Sequence, residues 1–181
     1  MIRDEASIVS QDKGNISITG NGSINATEDD NYGVFIADTN TKIVSQDGSI
    51  KITGTAGTGK NYNYGILLSN AGQILSTGNG AITITGAGSG TVSNNHGIFI
   101  SGGGVVSSTG KGNISLSGVG SSTATADNDG IRIDGTNSQV ISAQGSIEIS
   151  GKGEGTGNTN LGVRITTEGQ VSTGTANNWS R

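Results

Sequence analysis

Isoleucine and valine alternate with polar residues in short bursts along this chain, and the bursts recur. The string apolar-x-apolar-[Ser/Thr]-Gly occurs as ISITG, IKITG, ITITG, ISLSG and IEISG, ending at Gly20, Gly54, Gly86, Gly118 and Gly151. A second string, Asn-x-Gly-[Ile/Val]-x-[Ile/Leu], occurs as NYGVFI, NYGILL, NHGIFI, NDGIRI and NLGVRI. Its glycine falls at Gly33, Gly65, Gly97, Gly130 and Gly162, in steps of 32, 32, 33 and 32 residues. Between the two lies a weaker apolar pair: Ile43-Val44, Ile74-Leu75, Val105-Val106 and Val140-Ile141. A period of two is the signature of a strand with one dry face. Each repeat therefore carries three short strands, separated by turns rich in Gly, Asn and Ser.

The alternation assigns the faces. Ile16/Ile18, Ile50/Ile52, Ile82/Ile84, Ile114/Leu116 and Ile147/Ile149 point one way, and Ser17, Lys51, Thr83, Ser115 and Glu148 the other. In the second string, Val34/Ile36, Ile66/Leu68, Ile98/Ile100, Ile131/Ile133 and Val163/Ile165 point inward. A single repeat cannot bury its own aliphatic row, whereas stacked copies can. The pattern predicts an all-β, single-stranded parallel β-helix of about 5–6 coils with three strands per coil, wound right-handed by the general chirality of parallel connections. One solenoid domain would span residues 1–181, with repeats near 1–31, 32–63, 64–95, 96–128, 129–160 and a partial 161–181. The recurrent Asn31, Asn63, Asn95, Asn128 and Asn160 sit just before a strand. Asn tolerates left-handed backbone and can bond to its own turn, and stacked Asn side chains can bond to one another. These residues, with Gly33, Gly65, Gly97, Gly130 and Gly162, read as structural ladders and not as a ligand row.

Composition alone would point elsewhere. Thirty-three glycines in 181 residues, no proline, no cysteine and 3% aromatics suit a disordered linker; the periodic Ile and Val overturn that. The absence of cysteine removes disulfides, thiolate metal sites and cysteine nucleophiles together. A net charge of −4 argues against a nucleic-acid partner or an anionic-membrane surface. The opening MIRDEASIVS lacks the apolar run of a secretory signal. No stretch approaches the roughly 20 apolar residues of a spanning helix, so no membrane insertion is expected.

The runs GSIKITGTAGTG, GNGAITITGAGSG and GKGNISLSGVGSS resemble the β-helical repeats of large bacterial exoproteins over residues 8 to about 173. The class is that of filamentous-haemagglutinin-like, two-partner-secreted adhesins and autotransporter passengers, cyanobacterial surface proteins of that style included. The resemblance implies an exported, non-enzymatic protein of the cell surface, serving adhesion, matrix or presentation roles and needing no cofactor. The chain departs from the class in showing no Asn-Pro-Asn secretion motif, no signal peptide and no C-terminal barrel, which suits either an excised segment or a stand-alone solenoid.

Several motifs invite chemistry. GTAGTGKN, Gly54 to Asn61, has the spacing of a phosphate-binding loop. Such a loop needs a helix after it. Here the next residues are the β-patterned NYNYGILLS, with Asn61 where the magnesium-binding hydroxyl should stand. Arg132 and Arg164, near Asp129 and Asp134, are the strongest candidates for a polysaccharide-cleaving site; a cross-rung salt bridge to Arg164 accounts for them without catalysis. Glu28-Asp29-Asp30 and Asp127-Asn128-Asp129 could attract calcium, but lack a set loop of six to eight oxygens. His96 stands where the other repeats have Tyr32, Tyr64, Asp129 and Leu161, and reads as a corner residue without partners. The row Thr19, Thr53, Thr85, Ser117, Ser150 suggests an ice-binding face, spoiled by Lys51 and Glu148 beside it. Sequons at Asn15, Asn21, Asn25, Asn113 and Asn178 matter only in a glycosylating host.

Two features bear on partners. The outward row Phe35, Leu67, Phe99 forms a contact strip unless the long loops cover it. Solenoid ends expose strand edges, which favours head-to-tail stacking of the chain with itself into filaments. The leading expectation is a structural or adhesive solenoid whose variable loops after Gly54, Gly86, Gly118 and Gly151 meet surface glycans or matrix. A self-assembling fibre protomer and a carbohydrate-active β-helix enzyme are the alternatives.

Overall fold

The computed structural model describes residues 1–174, which contain strands and turns but no helix. Sixteen strands wind through three parallel sheets. The first sheet stacks β1 (Ser7–Ser10), β4 (Lys42–Ser45), β7 (Gln73–Ser76), β10 (Val105–Ser108), β13 (Gln139–Ser142) and β16 (Gln170–Thr173). The second stacks β2 (Ile16–Asn21), β5 (Ile50–Thr55), β8 (Ile82–Ala87), β11 (Ile114–Val119) and β14 (Ile147–Lys152). The third stacks β3 (Val34–Ala37), β6 (Ile66–Ser69), β9 (Ile98–Ser101), β12 (Ile131–Asp134) and β15 (Val163–Thr166). Every third strand pairs with its equivalent one coil on, so the fold is the expected all-β parallel solenoid of about five turns, with three strands per coil.

Equivalent residues pair with equivalent residues. Ile16, Ile50, Ile82, Ile114 and Ile147 are successive partners, as are Ile18, Ile52, Ile84, Leu116 and Ile149. Together with Ile66/Leu68, Ile98/Ile100 and Ile131/Ile133, and with the single column Ile43, Ile74, Val106, Val140, they form one continuous core. Each such side chain contributes roughly 1.5–3 kcal/mol of burial. No one coil could hold its five or so aliphatics away from water without the coils on either side.

A column of serines runs inside as well. Ser10, Ser45, Ser76, Ser108 and Ser142 share a register. Most satisfy themselves at the corner beyond the strand. Ser10 donates to Gly14 O at 2.6 Å, Ser45 to Gly48 O at 2.7 Å and Ser76 to Gly80 O at 2.6 Å. A buried hydroxyl is tolerated when its hydrogen bond closes a local turn.

Two connections of each coil are tight. The third, leading from the second sheet to the third, is long and emerges as a loop: residues 22–33, 56–65, 88–97, 120–130 and 153–162. At the loop base the two recurrent glycines cross. A Cβ on Gly54 would overlap the carbonyl oxygen of Gly65, and a Cβ on Gly65 would overlap the backbone of Ala87 one coil on. Close backbone approach, and not left-handed geometry, explains why both strings end or begin with Gly.

Candidate functional site

The long loops are themselves stacked. The Asn column closes them: Asn31 N and Nδ2 both donate to Asn63 Oδ1 at 3.0 Å. Asn63 N and Nδ2 donate to Asn95 Oδ1 at 3.0 and 2.9 Å. Asn95 N donates to Asn128 Oδ1 at 3.1 Å, and Asn128 N and Nδ2 donate to Asn160 Oδ1 at 2.9 and 3.0 Å. Asn63, Asn95 and Asn128 are fully buried. A primary amide supplies a carbonyl acceptor for two bonds and separate N–H donors from one short side chain. The left-handed residue is not the Asn itself, as the sequence suggested, but the one before it: Asp30, Tyr62, Asn94, Asp127 and Thr159 have φ between 52° and 65°.

A second polar column runs beside the first. Asp29 Oδ1 accepts Asn61 N at 2.8 Å and Asn61 Nδ2 at 3.3 Å, while Asn61 Oδ1 accepts Ser93 N at 3.2 Å and Ser93 Oγ at 3.0 Å. This disposes of two tempting motifs. In Gly54 to Asn61 the amides of Ala56, Gly57 and Thr58 are already bonded to Ala87 O, Asn31 O and Ser23 O, and the chain runs on into β6. The segment is one layer of the loop stack, with no cradle for phosphate. In the acidic run, Asp30 accepts Tyr32 Oη at 2.6 Å and Glu28 faces Lys60 at 3.6 Å. Among the described residues no three His, Asp or Glu groups converge as metal ligands.

The column after the ladder Asn is varied: Tyr32, Tyr64, His96, Asp129, Leu161. The first three rings stack face to face, Tyr32 on Tyr64 at 5.5 Å and 6°, Tyr64 on His96 at 5.3 Å and 3°. Their edges meet the outward row of the third sheet, Tyr32 against Phe35 and both Tyr64 and His96 against Phe99. Leu67 is buried and the two phenylalanines are half-buried. The row Phe35, Leu67, Phe99 is therefore not an open contact strip: rings from the loop bases cover it. Burial raises the Tyr32 and Tyr64 phenols well above their ordinary value.

His96 is not a corner residue without partners. It is 1% exposed, and its Nδ1 accepts the Asp129 backbone N–H at 3.0 Å. Asp129 repeats the device, its Oδ1 accepting Leu161 N at 2.9 Å. The expected cross-rung salt bridge to Arg164 is present, made by Asp127 and Asp129 of the preceding coil, whereas Arg132 and Asp134 pair with each other. Arg132 bonds Asp134 within its own strand at 2.9 Å and lies over the Phe99 ring at 5.5 Å. Arg164 reaches back to Asp127 at 3.1 Å and sets its Nε 3.0 Å from Asp129 Oδ2, close but not aligned as a hydrogen bond. Desolvation holds the Asp129 carboxyl above the usual range despite that cation. Burial, and secondarily Arg132 and Arg164, press His96 down to about 3. Both arginines are thus accounted for by ion pairs, Arg132 within β12 and Arg164 between loop and sheet.

The hydroxyl row Thr19, Thr53, Thr85, Ser117, Ser150 lies in register on the outer face of the second sheet, with Lys51 and Glu148 exposed in the adjoining row. Asn15 and Asn113 spend their Oδ1 on the amides of Ser49 and Ser146 in the next coil. Asn178 lies outside the described residues. The exposed large apolar side chains of the loop layer are Ile24 and Val92 along the loops and Tyr62 and Leu161 beside the ladder.

No protein-family model, no curated protein and no solved structure matches the chain. The architecture nevertheless defines a class: a parallel β-solenoid repeat scaffold carrying an ordered stack of loops along one edge. Among the described residues no helix is long and apolar enough to cross a membrane.

Proposed function

We propose that the chain is a non-enzymatic surface scaffold of filamentous-haemagglutinin style, working outside the cell, whose stacked loop edge recognises glycans or matrix. The observation that carries this reading is the division of labour in the loops. Their bases are locked coil to coil through the Asn column, whereas the rest of each loop differs from coil to coil, with Ile24 and Val92 exposed along the loops and Tyr62 and Leu161 exposed beside the ladder. A rigid base with varied loop residues is how binding loops are displayed on scaffolds. The Arg132 and Arg164 ion pairs support the same reading, because the groups a cleaving enzyme would need are engaged, Arg132 within its own strand and Arg164 in holding a loop.

The full chain should be applied to arrays of surface polysaccharides and matrix proteins beside an Ile24→Ser/Tyr62→Ser/Val92→Ser variant. Binding that falls at least tenfold in the variant at unchanged thermal stability is expected. Cleavage of any arrayed polysaccharide, lost in Arg132→Ala or Arg164→Ala, would replace the scaffold by an enzyme. Binding unchanged in the triple variant would move recognition off the loops.

A further inference from the structure

One buried titratable group is absorbed by neither the fold nor the proposed recognition: His96, wedged at the joint between the third and fourth loops. We propose that this joint is an acid-operated latch, in which uptake of one proton by His96 releases residues 120–129 from the loop stack while the three sheets stay closed.

The geometry makes the latch. A ring nitrogen can accept only when it carries no proton, and Nδ1 is the acceptor for Asp129 N–H at 3.0 Å. The closed joint therefore holds the neutral imidazole with its proton on Nε2. A proton added at Nδ1 sets N–H against N–H across the contact that ties the fourth loop to the third. Further bonds cross the same joint: Asn95 N to Asn128 Oδ1, Gly97 N to Asp129 O, Ser121 N to Asn95 O, Asn94 N to Ala126 O, Thr125 N and Ala126 N to Val92 O, and the hydroxyls of Ser121 and Thr123 to Gly90 O and of Thr125 to Val92 O. Releasing residues 120–129 breaks them together.

The surroundings set the direction. From the preceding loop, Tyr64 covers one ring face; from β9, Phe99 presents its ring edge-on. From the fourth loop come Asp127 and Asp129, from β12 Arg132 and Asp134, and from β15 Arg164. Asp129 is the carboxylate nearest the ring, its Oδ2 3.8 Å from Nδ1. It already faces Arg164 Nε and accepts Leu161 N, and Asp127 and Asp134 are bonded to Arg164 and Arg132. Both guanidiniums oppose a new cation, as does burial. The closed joint thus keeps its ring neutral to about pH 3, whereas a ring in a released loop titrates near its ordinary value of about 6.5. By linkage the open population grows about tenfold per pH unit below that value, roughly 30-fold between pH 7.5 and 5. Of the equivalent positions in the other coils, Tyr32, Tyr64 and Leu161 cannot gain a proton in this range, and Asp129 turns its acceptor toward the fifth loop, through Leu161 N, and not toward the third. The latch stands whether or not the loops bind anything.

Amide hydrogen exchange on the full chain, corrected for the intrinsic pH dependence of exchange, reads the latch directly. Opening at Asp129 and across residues 120–129 should rise about 30-fold from pH 7.5 to 5, with the amides of β8, β9 and β11 unchanged. His96→Tyr restores the aromatic residue of the two preceding coils, and His96→Gln keeps an acceptor that does not titrate; both should flatten the profile. Protection at Asp129 that holds or increases at pH 5 would overturn the proposal, since the proton would then be accommodated as a closed His96–Asp129 ion pair. So would an equal rise in both variants, or a ring titration near 6.5 in the closed state, seen by NMR.

Discussion

Two neighbouring columns of the loop layer differ in how much sequence variation they permit. The ladder column is Asn in all five coils; the column one residue later reads Tyr, Tyr, His, Asp, Leu. Both are buried in the central coils and both face the same neighbours. The difference lies in what each side chain must do. A ladder Asn gives one coil an acceptor and takes another from the next, so a change at one coil strands groups in its neighbour. The later column needs only a flat contact or a single acceptor. Stacked rings serve in the first three coils, and where the column becomes Asp129 the adjoining outward row changes with it, from Phe35, Leu67 and Phe99 to Arg132 and Arg164. Identity is required where hydrogen bonds cross both ways, and compensation suffices elsewhere.

The sharpest break of that contrast is Asn95→Ala. It removes the acceptor of both Asn63 N and Asn63 Nδ2 and the donor to Lys60 O. At roughly 1–3 kcal/mol for each buried group left unmade, a loss of about 4 kcal/mol is expected in chemical denaturation. Asn31→Ala, in the first coil, strands no donor of an earlier one and should cost about 1 kcal/mol. At pH 7.5, His96→Tyr in the varied column keeps a stacked ring but strands the Asp129 N–H, and should cost about 1–2 kcal/mol, less than Asn95→Ala. Equal losses at Asn95 and Asn31 would erase the distinction between the columns.

Compensation can be taken apart next. Arg164→Leu leaves the Asp129 carboxylate, fully buried, without its cation, and should destabilise the chain by about 3 kcal/mol. Asp129→Asn in the same background removes the charge yet keeps an oxygen for Leu161 N, and most of the loss should return. Lys152→Ala, which breaks the exposed pair with Glu154, should change stability by less than about 0.5 kcal/mol. A double variant no better than Arg164→Leu alone would show that packing, and not charge, couples the two columns.

The single histidine gives the comparison a pH dependence. Its folded value is lowered, so the stability it contributes is present above about 6.5 and is lost as pH falls toward the folded value of about 3. Between pH 7 and 5 that amounts to about 2 kcal/mol at 1.36 kcal/mol per unit. Asp129, whose value is raised by desolvation, has the opposite sign, and His96→Tyr leaves that carboxyl in place, so the difference between the two chains isolates His96. The denaturation midpoint of the parent should fall relative to that of His96→Tyr across that range. Parallel curves would mean that the ring is charged in the folded chain.

These columns also show what the primary structure exposes and what it hides. The aliphatic columns and the ladder Asn are legible because the same letter recurs at one period, and a parallel stack places like on like. The paired glycines are legible as recurrences, though the crossing that demands them appears only in three dimensions. The inner serines are hard to see because the corners around them vary in length, which smears their spacing. His96 is misread for a different reason. Its partner is a backbone amide one coil away, and an amide has no letter. The contact strip misleads in the same way: alternation correctly places Phe35, Leu67 and Phe99 outside their sheet, but says nothing of rings arriving from loop bases.

A third kind of column keeps conformation while chemistry drifts, and supplies the smallest expected effect. The three shorter corners from the third sheet to the first hold consecutive left-handed residues, Asn70-Ala71 at φ 49° and 64°, Gly102-Gly103 at 54° and 80°, Thr167-Glu168 at 48° and 67°, whereas the corners 38–41 and 135–138 set them two apart, at Asp38/Asn40 and Gly135/Asn137. Only the glycine pair adopts this backbone without a penalty from Cβ. Ala71→Gly should therefore stabilise the chain by about 1 kcal/mol, the relief of left-handed strain exceeding the entropy that glycine adds to the unfolded state. Gly103→Ala, at the corresponding place one coil on, should cost a similar amount. Because the space beside Gly103 is open, with no atom nearer than 3.8 Å to where a methyl group would sit, that cost would come from the backbone alone. If Ala71→Gly proves destabilising, the corner is held by the Ala71 side chain's own contacts, and conformation is not what this column preserves.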